Sequence, residues 1–232
     1  MRRVLVLAVS IWLAACGCAG AQSLLGVGAK WTGLYAGVNA GYGWGGATGS
    51  VVAGATTLSA TDQFSGWLAG VQVGFDWQMS NLVFGAVADI QASTQSSQTL
   101  LCAAAACGYA LTSTNSMPWF GTLRGRVGFA LDRFLIYATG GLSYAEYRSD
   151  LTSQVGGAIA IVPLYAARRG GLVIGAGIEL AAFGNWTARA EYLHIDSGTV
   201  TEVATVPFVG AVTASGRISD NILRTGISYR FF

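Results

Sequence analysis

The sequence contains few charged residues and no long apolar run outside its N-terminus. Only 10% of its 232 residues are Asp, Glu, Lys or Arg, against about 25% in an average soluble domain. A transmembrane helix needs an apolar stretch of about 18 residues or more, and the body of the chain offers none. The formal net charge is only +2, so a basic face for a nucleic-acid partner is not expected. These features argue against an ordinary soluble domain, a helical membrane protein and a nucleic-acid-binding protein.

Motifs that carry chemistry are also scarce. The chain has a single histidine, no glycine loop for phosphate binding and no zinc-ligand spacing. We therefore expect no catalytic residue, no metal and no cofactor. His194, Asp196 and Ser197 nominally supply a base, an acid and a nucleophile. Three nearly consecutive residues of one strand cannot converge on a substrate atom as such groups must, which makes a lipid-modifying enzyme the least favoured function.

The N-terminus has the pattern of a secretory signal peptide. Two arginines precede an apolar run, and small residues follow at Ala19 and Ala21, which predicts a signal over residues 1–21. Cleavage before Cys16, as in bacterial lipoproteins, is the alternative. Removing the signal leaves 11 basic and 11 acidic residues and a short N-terminal segment over 22–30.

Export changes the meaning of the cysteines. Cys102 and Cys107 bracket four alanines in a region otherwise rich in Ser and Thr. In an oxidising compartment the pair would close a small loop disulfide. Metal binding would need more ligands than these two, and none lies nearby.

What the chain has in abundance is glycine and apolar residues that alternate with polar ones. Glycine makes up 33 residues, about twice the usual frequency of roughly 7%. Alternation predicts eight strands, over residues 31–45, 66–79, 82–93, 117–131, 134–148, 170–183, 186–197 and 217–232. Two-residue joints of the hairpin type occur at Ser80-Asn81, Asp132-Arg133 and Gly184-Asn185. We expect the other connections, near 46–65, 94–116, 149–169 and 198–216, to be long loops.

Short and long connections alternate strictly along the chain. This alternation predicts an all-β fold, an eight-stranded antiparallel up-and-down barrel with both termini at the short-turn end. Each strand is long enough to cross a bilayer at a tilt. The apolar parity of the second strand is exemplified by Val71 and Phe75. Charges occupy the opposite parity at Asp76, Asp89, Arg124, Arg126, Glu179, Arg189, Glu191, Arg224 and Arg230. The fifth segment is ambiguous, and its faces stay unassigned.

Alternation alone does not say which face lies inside. A soluble barrel turns the apolar face inward, and a membrane barrel turns it outward. The narrow interior of eight strands accepts Gly, Ser and a few charges more readily than every Trp, Phe and Leu. Aromatic residues also cluster near segment ends, as interfacial girdles do; they are Trp67, Trp77, Trp186, Tyr229 and Phe231. The membrane orientation is therefore favoured over the soluble one.

Several stretches resemble the small outer-membrane β-barrel family of Gram-negative bacteria that includes opacity-type porins and related surface antigens. They are WTGLYAGVNAGYGWG, GVQVGFDWQ, VFGAVADIQ, LRGRVGFALDRFLIYATGGLSYA, VIGAGIELAAFGNWTARAEYLHIDSG and ILRTGISYRFF. The resemblance implies a barrel domain over 31–232 in the bacterial outer membrane. It also implies four surface loops and no catalytic residues. The aromatic C-terminal strand resembles the signal that the barrel assembly machinery reads.

Two interpretations of the inner charges stay open. They form a paired network that fills the barrel, since buried ions need partners, or they line a narrow water-filled path. We expect a non-enzymatic structural and surface-recognition role, with a narrow porin for small solutes as the alternative. The expected partners are outer-membrane lipids, the assembly machinery and an extracellular ligand bound through the loops.

Overall fold

The computed structural model describes residues 29–53, 56–102, 110–155, 158–206 and 210–231. Its elements are β1 (Gly33–Ala53), β2 (Thr56–Met79), β3 (Leu82–Cys102), β4 (Ala110–Leu131), β5 (Phe134–Val155), β6 (Ala158–Phe183), β7 (Trp186–Val206) and β8 (Gly210–Arg230). None of the described ranges contains a helix long and apolar enough to cross a membrane. The predicted signal peptide with Cys16, Ala19 and Ala21 lies outside these ranges, and so does Cys107.

The eight strands form one closed antiparallel sheet in sequence order. Each strand pairs with its neighbours in the chain, and β1 pairs with β8 from Tyr35↔Arg230 to Ala53↔Val212. Closure gives both outermost strands of the sheet a hydrogen-bonded partner, which removes the edges of an open sheet. The predicted eight-stranded up-and-down barrel is confirmed.

Three two-residue turns join the strands at one end. The first residue of each turn has a positive φ: 55° at Ser80, 56° at Asp132 and 53° at Gly184. Positive φ is the backbone conformation that lets a two-residue loop follow the twist of a hairpin. These are the predicted turns, and β1 starts and β8 ends at the same end of the barrel.

Apolar side chains cover the outside of the barrel and charges fill the inside. Val71, Phe75 and Ile174 are 55%, 53% and 62% exposed, whereas Arg124 and Glu191 are 1% and 2% exposed. This is the orientation of a membrane barrel, because a soluble barrel would show the opposite pattern.

The fifth strand, which alternation left unassigned, has apolar residues on both faces. Leu135 and Tyr137 point inward and are buried, while Ile136 and Leu142 are exposed on the outside. Since both parities are apolar, the sequence pattern there has no period-two contrast to read.

The long loops expected between the strands are mostly strand, and that expectation was wrong. β1 and β2 remain paired from Gly33↔Asp76 to Ala53↔Thr56, and β5 and β6 remain paired up to Val155↔Ala158. The Ser-, Thr- and Gly-rich stretches lack strong alternation in the sequence, which is why alternation did not predict them as strands. In the structure, ladder pairing with the neighbouring strands continues through them. At the end opposite the two-residue turns, a ring of outward-facing aromatic residues surrounds the barrel; it includes Tyr42, Trp44, Trp67, Trp119, Tyr144 and Tyr192. We call the part of the barrel beyond this ring the outer stem.

The outer stem divides into two sheets. Within the described residues, pairing between β2 and β3 ends at Ser65↔Ser96 and pairing between β6 and β7 ends at Leu172↔Asp196. The other six pairs of strands continue outward. Above this level the stem therefore consists of one blade of β7, β8, β1 and β2 and a second blade of β3, β4, β5 and β6. At the β6/β7 seam, β7 carries a bulge in which Gly198 adopts a φ of 72°.

Two aromatic girdles bound the apolar belt on the outside. At the short-turn end, Trp186 and Tyr229 pack with ring centroids 5.2 Å apart. At the other end the pairs are Tyr42–Trp67, Trp44–Tyr192 and Trp119–Tyr144, with centroids 5.3, 6.4 and 5.9 Å apart. On β5 the belt runs from Phe134 to Tyr144, which spans about 25 Å at about 3.3 Å per residue and a tilt of about 40°. With the same rise per residue and the same tilt, the whole of β5 spans about 55 Å along the barrel axis. The stem therefore projects far beyond the belt.

Candidate functional site

All nine charges singled out in the sequence lie on the inner face, where each is buried. The structure sorts them into two layers across the lumen. The lower ion layer, nearer the short turns, consists of Asp76, Arg126, Glu179, Arg189 and Arg230. The upper ion layer consists of Asp89, Arg124, Glu191 and Arg224.

In the lower ion layer two arginines bridge two carboxylates. Arg126 Nε donates to Asp76 Oδ1 at 2.7 Å and its Nη1 donates to Glu179 Oε2 at 2.9 Å. Arg230 Nη2 lies 2.8 Å from Asp76 Oδ2 and 3.1 Å from Glu179 Oε1. Each carboxylate therefore contacts both cations, an arrangement that offsets part of the desolvation of four buried ions.

The upper ion layer repeats this arrangement. Arg124 Nη2 lies 2.8 Å from Asp89 Oδ2, and Arg124 Nη1 lies 2.9 Å from Glu191 Oε1. Arg224 Nη2 lies 2.9 Å from Asp89 Oδ2 and 2.6 Å from Glu191 Oε2. Thr122 Oγ1 donates to Asp89 Oδ2 at 2.8 Å. Two cations and two anions make this layer electrically neutral.

Arg189 makes the lower layer unbalanced. Its Nη2 lies 3.9 Å from Glu179 Oε2 and donates to Ser228 Oγ at 3.1 Å. Within the described residues its Nε and Nη1 have no hydrogen-bond partner. The lower layer thus holds three cations and two anions, and Arg189 is the least well paired of them.

Sequence reasoning missed the tyrosines that complete the two layers. Tyr137 OH donates to Glu191 Oε1 at 3.0 Å, and the Arg126 guanidinium lies 4.9 Å from the Tyr35 ring centroid. Both rings occupy space left by a glycine on a neighbouring strand. A Cβ at Gly74 would lie 2.4 Å from the Tyr35 ring, and one at Gly177 would lie 2.6 Å from the Tyr137 ring. The interior is therefore packed, and part of the glycine excess makes room for these rings.

Apolar layers lie on both sides of the ions. At the short-turn end lies a lower apolar layer, which consists of Trp31, Val83, Ala130, Leu135 and the ring of Tyr137, whose hydroxyl reaches Glu191. On the stem side an upper apolar layer follows the upper ion layer; it consists of Leu68, Met117, Phe120, Ala145, Val173, Leu193, Ile195 and Ile222. Strict alternation places several of these residues on the same parity as the charges of their own strand, such as Phe120 with Arg124 and Leu193 with Glu191, so the sequence pattern contained a signal for them. Met117 lies inside only because the β4 ladder is irregular between Ser116 and Trp119.

Trp31 was expected at the start of the first strand, but it precedes β1 and turns into the lumen. Trp31 is fully buried, and its backbone N–H donates to Gln78 Oε1 at 2.8 Å. Its ring centroid lies 4.8 Å from the Arg230 guanidinium. Gly33, with a φ of 141°, allows the change of direction into β1.

In the outer stem, side chains rather than backbone connect the two blades. Asp62 on β2 accepts hydrogen bonds from Ser97, Thr99 and Asn115 on β3 and β4, at 2.6, 3.1 and 2.8 Å. Gln95 Nε2 donates to both carboxylate oxygens of Asp220 on β8, at 2.9 and 3.0 Å. These contacts span the blades at and above the level where the β2/β3 ladder ends.

His194, Asp196 and Ser197 do not converge. His194 Nδ1 lies 2.9 Å from Asn221 Oδ1, Asp196 pairs with Arg217, and Ser197 Oγ lies 3.0 Å from Tyr147 OH. Each group thus has its own partner, on β8 for His194 and Asp196 and on β5 for Ser197.

This filled barrel with an apolar belt matches a known protein family. The family model described as the outer membrane protein beta-barrel domain matches residues 9–231. The chain belongs to this outer-membrane β-barrel family. It is 32% identical over 215 residues to the 31 kDa outer-membrane immunogenic protein of Brucella melitensis, covering 87% of this chain and 84% of the relative.

Further similarities agree with this assignment. The 25 kDa outer-membrane immunogenic protein of Brucella abortus is 25% identical, covering 87% of this chain and 80% of the relative. The solved structure of the outer membrane protein OprG from Pseudomonas aeruginosa has a TM-score of 0.50 and 10% identity, covering 86% of this chain and 97% of that one; it supports the fold alone.

Membership of the family places the protein in the bacterial outer membrane. Barrels of this kind have short turns toward the periplasm and longer connections toward the outside of the cell. The belt between the girdles therefore faces lipid, the lower apolar layer faces the periplasm, and the outer stem lies on the extracellular side.

Proposed function

We propose that this protein is a non-enzymatic, non-conducting outer-membrane scaffold that presents its outer stem for recognition at the cell surface. The observation that carries the proposal is the filling of the lumen by four successive layers. An ion that crosses the barrel has to pass Trp31 and the lower apolar layer, two sets of ion-paired arginines and the upper apolar layer. Eight strands leave an interior just wide enough for side chains to fill, which agrees with a closed lumen.

The outer stem is the part of the molecule available to partners outside the cell. Its strands extend the rigid barrel wall beyond the lipid, and recognition residues are commonly carried on segments that a rigid scaffold positions. The names of the Brucella relatives describe those proteins as immunogenic. Exposure of a stem of this kind is consistent with such a property.

The narrow porin is the competing function, and planar-bilayer conductance separates the two. We expect the refolded full chain to give no reproducible single-channel steps, because no layer opens without breaking buried ion pairs or apolar packing. Reproducible steps in the wild-type protein would overturn the closed-lumen part of the proposal.

Labelling on intact cells tests the recognition surface. In a background with Cys102 and Cys107 replaced by serine, Gln98→Cys in the stem and Ser80→Cys in a periplasmic turn are compared with a membrane-impermeant maleimide. We expect labelling at position 98 and protection at position 80 until the outer membrane is permeabilised. The reverse pattern, or protection at both positions, would contradict the assignment of the stem to the cell surface.

A further inference from the structure

Three rows of outward-facing residues cross β4, β5 and β6 at the extracellular end of the apolar belt. Strand pairing aligns Leu123, Leu142 and Leu172 in the first row, Gly121, Tyr144 and Gly170 in the second, and Trp119, Glu146 and Arg168 in the third. The rows thus pass from purely apolar to charged in the direction of the cell exterior.

The first two rows, together with Asp196, Ser197 and Gly198 of β7, line a groove in the barrel wall with a volume of about 790 Å³. The three leucines of the first row are each at least 60% exposed. In the second row, Gly121 and Gly170 leave hollows on both sides of the Tyr144 ring. A groove of this composition at this depth fits an acyl chain, because it lies inside the belt that faces lipid.

The third row holds a carboxylate covered by two arginines. Glu146 Oε1 accepts a hydrogen bond from Arg148 Nε at 2.8 Å, and Glu146 Oε2 accepts from Trp119 Nε1 at 3.1 Å and from Arg168 Nε at 3.4 Å. The Trp119 ring lies 5.9 Å from that of Tyr144, which joins this cluster to the groove. We call Trp119, Glu146, Arg148 and Arg168 the outer rim cluster.

The outer rim cluster carries more positive than negative charge. The Arg148 and Arg168 side chains are 55% and 64% exposed, so their contacts with Glu146 leave both side chains accessible from outside the barrel. The cluster lies one row beyond Tyr144, which is the level of lipid headgroups. Asp196, at the edge of the groove, is itself paired with Arg217. Guanidinium groups bind phosphate oxygens through strong charge-assisted hydrogen bonds.

We propose that the groove and the outer rim cluster form one binding site for an outer-leaflet lipid with a phosphate-bearing headgroup. The groove holds an acyl chain beside Tyr144, and Arg148 and Arg168 bind the phosphate. Glu146 and Trp119 position the two guanidiniums. The site lies on the outer wall, so it is independent of whether the lumen conducts.

Native mass spectrometry of the refolded full chain in a zwitterionic detergent tests the proposal. The probes are short-chain phosphatidic acid, phosphatidylcholine of the same chain length, and inorganic phosphate. We expect the wild-type protein to retain phosphatidic acid more strongly than phosphatidylcholine. Arg148→Gln with Arg168→Gln should weaken that retention by about 10- to 30-fold, the effect of two arginines near an anionic headgroup. Equal retention of the two lipids by the wild-type protein would overturn the proposal.

A second double variant controls for charge. Lys30→Gln with Arg133→Gln removes two exposed cations from the periplasmic end, and we expect it to retain phosphatidic acid as the wild type does. Should both double variants weaken retention equally, general charge rather than the rim cluster would be responsible and the site would be refuted. If the rim double variant does not fold, as judged by heat-modifiable gel migration, Arg168→Gln alone replaces it with an expected weakening of several-fold.

A glycine substitution separates a lipid site from a simple phosphate site. A Cβ at Gly170 would lie 3.8 Å from its nearest neighbour, so Gly170→Leu fills the groove without displacing the wall. Gly140→Leu is the matched control on the outward face, with its nearest neighbour at 3.7 Å. We expect only Gly170→Leu to weaken lipid retention. Inorganic phosphate that displaces phosphatidic acid at equal concentration, with Gly170→Leu inert, would refute the lipid site in favour of an anion site.

Discussion

The lipid-embedded barrel and the outer stem are built from the same eight strands but are held together differently. In the belt every strand has two ladder partners, and the lumen is filled by ion pairs and apolar side chains. In the stem the ladder opens at two seams, and single side chains such as Asp62 connect the blades. The difference follows from the solvent, because a backbone group that faces hydrocarbon must be paired within the protein, whereas one that faces water need not be.

The comparison also separates two kinds of buried arginine within the belt. Arg224 makes close ion pairs with Asp89 and Glu191, whereas among the described residues Glu179, at 3.9 Å, is the one carboxylate that pairs with Arg189. Both side chains are almost completely buried. They therefore form a matched pair of positions that differ in pairing and not in exposure.

The largest effect is expected from breaking a complete ion layer. Arg224→Met leaves Asp89 and Glu191 with Arg124 as the only arginine of their layer, and removing one partner of a buried pair typically costs about 3–5 kcal/mol. We expect the free energy of unfolding, measured by urea titration in lipid vesicles, to fall by about that amount. Arg189→Met removes a cation from a layer that has one in excess, and its cost should be below about 1 kcal/mol. Equal costs for the two variants would contradict the assignment of Arg189 as the surplus charge.

The next largest effect is expected in the upper apolar layer. Leu193 is fully buried in the lumen, so Leu193→Ala leaves a cavity and should lower the free energy of unfolding by about 2–5 kcal/mol. Leu223 faces outward on β8 and is 48% exposed. Leu223→Ala leaves no enclosed cavity because lipid fills the space, and we expect a cost of about 1 kcal/mol. The two urea titrations are compared in the same vesicles, and a larger cost at position 223 would argue against a packed lumen.

The sequence was sufficient for the belt and insufficient for the stem. Alternation located the eight crossing strands, the three turns and the inward parity of residues such as Arg124 and Glu191, since lipid on one side and a narrow lumen on the other impose a period of two. It did not reveal that Phe120 and Leu193 lie inside, because apolar residues were assumed to face lipid. Their shared parity with Arg124 and Glu191 is the signal that finds them.

The stem lacks such a signal for a physical reason. Around Glu146 and Arg168 the side chains face water, headgroups or each other, so no strong contrast between the two faces is imposed on the residues. The continuation of the strands depends instead on ladder partners from neighbouring strands, which are distant in sequence for the β1–β8 pair. Contacts such as Asp62 with Asn115 depend on that register and are visible only in three dimensions.

The smallest effect on overall stability, and the most local one, is expected in the stem. Asp62→Ala removes the acceptor of three hydrogen bonds between the blades, and the free energy of unfolding should change by less than about 1 kcal/mol because the residue is not fully buried. Backbone amides of residues 56–64 and 97–102 lie along the open β2/β3 seam. We expect their hydrogen exchange to accelerate about tenfold, since local opening no longer breaks those contacts.

The exposed neighbour Gln63 provides the control for this substitution. Gln63→Ala alters the same strand of the same blade but leaves the Asp62 carboxylate in place, so exchange along the seam should match the wild type. Exchange that accelerates throughout the belt in Asp62→Ala would show that the stem and the barrel open together. Acceleration confined to the seam would mean that the blades open independently of the ion layers below them, which is what a recognition surface on a closed, rigid base requires.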